Sequence, residues 1–125
     1  MTDRPPTVPK VSWPPTIGEL LPHAADAWSE AHKWSEWILA ERGHGPEWGK
    51  VLHVGLNDLD LIWEAIAAAV LVEPVSRIVD RGEHGLNCRV DVRLTIAERS
   101  APIRTVWNYQ GPGAAPRLVS AYPKL

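Results

Sequence analysis

At 125 residues, with 45% apolar side chains, the chain has room for one domain with a real core and none for a second. A net charge of −2 excludes partners recruited by bulk charge, and no apolar run reaches the roughly 18 residues a membrane-crossing helix needs. The single cysteine, Cys88, excludes an internal disulfide; with no signal-peptide pattern at the start, a cytoplasmic protein is expected.

The charge is unevenly spread. Residues 1–75 carry 5 basic and 11 acidic side chains, net −6, and residues 76–125 carry 8 and 4, net +4. Such halves either attract each other or present surfaces of opposite sign to different partners.

In chain order, Pro5, Pro6, Pro9, Pro14 and Pro15 predict a disordered or polyproline-like tail over 1–16, because proline can neither continue a helix nor donate to a sheet. A single domain then spans 17–125. Ser29 is placed to cap a helix running to about Arg42, with Ala31, Trp34, Trp37 and Ile38 at helical spacing and Gly43 as a left-handed cap. Pro46 opens a short helix over 47–54. Asn57 or Asp58 caps a stronger one to about Val72, on which Leu59, Ile62, Trp63, Ile66 and Val70 share a face. With seven tryptophans and no phenylalanine, Trp is expected to fill the core.

Beyond Pro74 the period changes from 3.6 to 2. Val75–Val79 reads as a first strand and Gly82–Gly85 as a turn. Leu86, Cys88, Val90, Val92, Leu94 and Ile96 then alternate with Asn87, Arg89, Asp91, Arg93 and Thr95, giving one dry and one charged face. Ser100–Pro102 reads as a turn, Ile103–Tyr109 and Arg117–Tyr122 as two more strands. The expected fold is α+β: N-terminal helices packed on a C-terminal antiparallel sheet of about four strands.

The five histidines lack metal-ligand spacing, and no serine sits in a glycine-flanked elbow, so neither a metal, a cofactor nor a serine nucleophile is expected. Cys88 lies in an apolar alternation and reads as a buried thiol. Trp107 and Tyr109 share a face with Ile103 and read as core more readily than as base-stacking platforms. The cations form the best constellation. Arg93, beside Arg89, and Arg104 would bind phosphate oxygens with Lys50, while His53 and Tyr122 would move protons and Ser120 would orient the substrate. Arginine alternating with apolar residues also describes any half-solvated strand.

Several stretches resemble an uncharacterised family of small bacterial domains met near toxin and secretion modules. They are Leu21-Pro22-His23-Ala24, Lys33-Trp34-Ser35-Glu36-Trp37-Ile38-Leu39, Gly49-Lys50-Val51-Leu52, Val106-Trp107, and the closing Pro116-Arg117-Leu118-Val119-Ser120-Ala121-Tyr122-Pro123. The order of helices, then sheet, then a hydroxyl and Tyr-Pro ending is similar to endoribonuclease toxins of the barnase, EndoU, colicin and RelE group. That resemblance implies metal-independent RNA binding or cleavage, with Lys33, Lys50, Arg117, Ser120 and Tyr122 in the site. Trp48 stands where the family's loop carries Arg, and Ser120 where it carries Thr. The sequence leaves two other readings open. One is a non-catalytic module of the immunity, antitoxin or phage-inhibitor type that binds a cognate partner protein. The other is a small-molecule domain using the Trp-rich side as its pocket.

Overall fold

The computed structural model describes residues 13–124. The proline-rich stretch 1–12 lies outside them. Ordered structure begins earlier than Ile17: Pro15 is buried, and Trp13 meets Tyr109 edge to face with ring centroids 5.7 Å apart.

The helices are α1 (Ala31–Lys33), α2 (Gly45–Leu52) and α3 (Leu59–Ala69). The strands are β1 (Arg77–Asp80), β2 (Leu86–Ile96), β3 (Arg99–Tyr109) and β4 (Arg117–Pro123). They form one antiparallel sheet in the order β1-β2-β3-β4, so the expected α+β architecture, helices first and four-stranded sheet second, is what the chain adopts. No helix among the described residues is long and apolar enough to cross a membrane.

The helices lie on the dry face of the sheet. Ile62, Ile66 and Val70 of the α3 segment are buried with Cys88, Val90, Val92 and Leu94 of β2. Trp34, Trp48, Trp107 and Tyr109 are the largest fully buried side chains, and each has its polar atom satisfied. Trp34 Nε1 donates to Ser29 Oγ, Trp48 Nε1 to the Ala121 carbonyl, Trp107 Nε1 to Thr105 Oγ1, and Tyr109 Oη to the Pro22 carbonyl. Trp107 and Tyr109 are thus core residues, and Cys88 is buried beside them.

Two local expectations differ from the structure. The first helix ends well short of Arg42: α1 runs into a π-helix over Trp34–Ile38, and its N-cap is Glu30, with Ser29 serving the Trp34 indole instead. Gly43 is not left-handed. Its glycine is needed because the backbone turns tightly onto itself, with the His44 N–H donating to the Trp37 carbonyl; a Cβ at Gly43 would collide with that carbonyl. The second difference is the β2–β3 turn. It is only Ala97–Glu98, with Ala97 at φ 55°, and Ser100–Pro102 belong to β3. Pro102 is tolerated there because its nitrogen faces the side where Lys124 donates to its carbonyl, past the end of the β3–β4 ladder.

Candidate functional site

The face of the sheet turned away from the helices is built by alternation and register. Directly opposed residues share a face, so the pairings line side chains up in rows. Val79, Asn87, Asn108 and Arg117 make the first row, and Arg77, Arg89, Val106 and Ser120 the second. Asp91, Arg104 and Tyr122 make the third, and Arg93 with Pro102 the fourth, Lys124 lying beside it. Successive rows are about 7 Å apart, two residues of strand rise. Asn108 apart, the strand residues of this face are exposed or half-buried.

One irregularity completes it. Strict alternation along β4 would put Arg117 on the opposite side from Ser120 and Tyr122. The register shifts at Val106/Trp107, where Ser120 and Leu118 are the partners and Val119 is left over. That bulge turns Arg117 outward while keeping Leu118 and Ala121 in the core.

The face therefore gathers Arg77, Arg81, Arg89, Arg93, Arg104, Arg117 and Lys124, and Asp91 is the one carboxylate the strands place on it. Arg81, just past β1, lines one shallow hollow with Arg77 and Arg89 and a second with Asn108 and Arg117. Asp91 accepts from Arg104 Nε at 3.0 Å and Nη2 at 3.3 Å, and Lys124 Nζ lies 3.2 Å from its other oxygen's side. Burial pushes the Asp91 carboxyl up, but the hydrogen bonds and charges of Arg104 and Lys124 outweigh it and hold the pKa below the ordinary carboxylate value. Arg117 Nη1 donates to Glu30 Oε1 at 3.0 Å.

The remaining cations are unpaired. Among the described residues Arg77, Arg81, Arg89 and Arg93 have no carboxylate partner. Arg77 stands directly opposite Arg89, a like-charge juxtaposition that destabilises a sheet. Beside them a row of amides is locked: Asn108 Nδ2 donates to the His84 carbonyl and to Asn87 Oδ1, and Gln110 Nε2 donates to Asn108 Oδ1. The result is an open cationic surface, fixed in geometry and short of counter-charge.

The sequence-derived candidates divide between places. Arg93, Arg104, Arg117, Ser120 and Tyr122 share this face, and Ser120 Oγ is buried there without a hydrogen-bond partner. His53 does not join them. It ends α2 in a left-handed conformation and lines a different hollow, of about 560 Å³, with Asp58, Leu61 and the β2–β3 turn. Lys50 is exposed on the last turn of α2, and Lys33 is half-buried in α1. The proposed proton carriers His53 and Tyr122 thus line different hollows.

Sequence reasoning passed over Arg77, Arg81, Lys124 and His44. The first two carried a signal, continuing the outward parity of Val79 at two-residue steps. His44 carried none, since only the tight turn at Gly43 delivers it. Its ring stacks on Tyr122 with centroids 4.7 Å apart at 22°.

Among the described residues no three His, Cys, Asp or Glu side chains cluster as a metal site would need. Burial pushes the Cys88 thiol up to about 11, so it is neither a thiolate ligand nor a nucleophile at neutral pH. No family model matches the chain, and no curated protein or solved structure matches it either.

Proposed function

We propose that this domain binds RNA, by its phosphates, along the arginine-lined open face of the sheet. The observation that carries the reading is the row in which Arg77 faces Arg89 with no carboxylate partner, flanked by Arg81 and Arg93 in the same condition. Such a juxtaposition costs stability in the free protein and is repaid when anions lie between the guanidiniums. Guanidinium forks match phosphate oxygens, and the spacing of the rows offers contacts along a strand rather than at one point. The resemblance to small toxin-associated domains agrees with an RNA ligand. Binding, rather than strand scission, is the activity proposed, because the candidate acid and base, His53 and Tyr122, line different hollows.

The test is fluorescence anisotropy with a labelled single-stranded RNA across about 50 to 200 mM salt. Binding should weaken linearly on a log–log plot. Replacing Arg77, Arg89 and Arg93 together by Ala should flatten that slope by about 3, one unit for each lost phosphate contact. No binding at the lowest salt, or a slope that the triple variant leaves unchanged, would refute the reading.

A further inference from the structure

The open face ends, on the β4 side, at a group of rings. The π-helix and the tight turn after it bring Trp37, 47% exposed, edge-on to His44, with centroids 5.1 Å apart at 77°. His44 in turn stacks on Tyr122, which stands opposite Arg104 on β3. The local backbone is unusual for a purpose this narrow. A π-turn, and glycines at 43 and 45 whose Cβ atoms would strike the carbonyls of Trp37, Leu39 and Ala40, are needed to seat one histidine.

Beside these rings lies a hollow of about 360 Å³, lined by His44, Glu47, Arg104, Tyr122, Pro123 and Lys124. Flat rings and a proline offer an apolar wall. Arg104 and Lys124 offer donors, and both already share a single carboxylate, Asp91, so their charge is only half answered. Glu47 offers an acceptor at the rim; its Oε2 lies 3.4 Å from His44 Nδ1, which is buried yet makes no aligned hydrogen bond. An apolar wall, donors and an acceptor within one small hollow, next to a phosphate-binding surface, are the complement of a nucleobase. A duplex keeps its bases stacked and paired inside and has none to offer.

We propose that this hollow holds one unpaired base of a nucleic-acid strand whose phosphates run across the arginine rows, which makes the ligand single-stranded. The inference rests on the RNA-binding reading above and adds to it a preference that phosphate contacts alone cannot give.

The experiment separates the two. Affinities are measured at one salt concentration for a short oligoribonucleotide, for the same strand annealed in a duplex, and for a strand of abasic sugar phosphates of equal length. Tyr122→Leu and Glu47→Gln are compared with the unchanged protein, and melting curves check that each variant folds. The single strand should bind about tenfold tighter than the abasic one, the scale of one base stacked on an aromatic ring. Tyr122→Leu should remove most of that difference, and the surface variant Glu47→Gln part of it. Equal affinity for the single and abasic strands, with both variants indistinguishable from the parent, would overturn the base site and leave phosphate binding standing. If none of the three ligands binds, both readings fall together.

Discussion

The two faces of this sheet are made by the same strands and obey opposite rules. On the helix side every polar atom of the large buried rings is answered: Trp107 by Thr105, Trp48 by Ala121, Tyr109 by Pro22. On the open side Arg77 confronts Arg89, Arg81 and Arg93 lack counter-charges, and Ser120 Oγ is buried without a partner. The dry face is settled by the fold itself. The charged face is left unsettled, and an unanswered arrangement that the chain nevertheless maintains is where a ligand is to be sought.

That contrast can be broken or sharpened by substitution. The largest effect belongs to the dry face: Trp107→Ala should cost about 3–5 kcal/mol, read from urea unfolding, since it empties a fully buried site against Trp63. A loss under 1 kcal/mol would mean the dry face is not the core described. Next comes Thr105→Val. Thr105 Oγ1 donates to the Val90 carbonyl and accepts from Trp107 Nε1, so its removal orphans a buried indole N–H and should cost about 1–3 kcal/mol.

Cys88 adds a pH dependence of the same order. Its folded pKa of about 11 lies above the ordinary 9.0, so the unfolded chain gives up the proton first. Stability from this group is whole below the ordinary value and is lost as pH climbs from there to the folded one, by about 2 kcal/mol. Cys88→Ala should abolish that alkaline decline; a variant that declines in parallel with the parent would show the thiol is not its source. The smallest effect on stability belongs to the open face. Arg77→Ala should change it by no more than about 0.5 kcal/mol, in the stabilising direction at low salt, because it relieves repulsion with Arg89. A marked loss would show that Arg77 serves the fold and that the two faces are less different than described.

How much of this could be read beforehand depended on whether the signal was local. The alternation from Leu86 to Ile96 is a local fact, and β2 spans those residues as expected. Arg93 and Arg104 follow from the same parity, and the structure brings them to one face. The stretch from Ser29 to Gly43 misled because its apolar spacing fits a longer helix, while the chain is bent back by contacts of Gly43 and Gly45 with carbonyls that no periodicity encodes. His53 looked close to Lys50 in sequence, but its position at the end of α2 sends it to the β2–β3 turn, away from Tyr122. His44, by contrast, is far from Tyr122 in sequence and stacked on it in space.

The bulge at Val119 also bears on how this face could be gained or lost in evolution. The inside–outside assignment of a strand behaves like a reading frame, and the extra residue is a one-letter insertion in it. Deleting that single codon would restore plain alternation and exchange the fates of its neighbours: with the strand's end still anchored at Ala121 and Pro123, a leucine would turn to water and a guanidinium inward. A cationic rim at this edge is therefore one deletion away from disappearing, with no substitution needed, and the chain's hold on it lies in a length rather than in any one side chain.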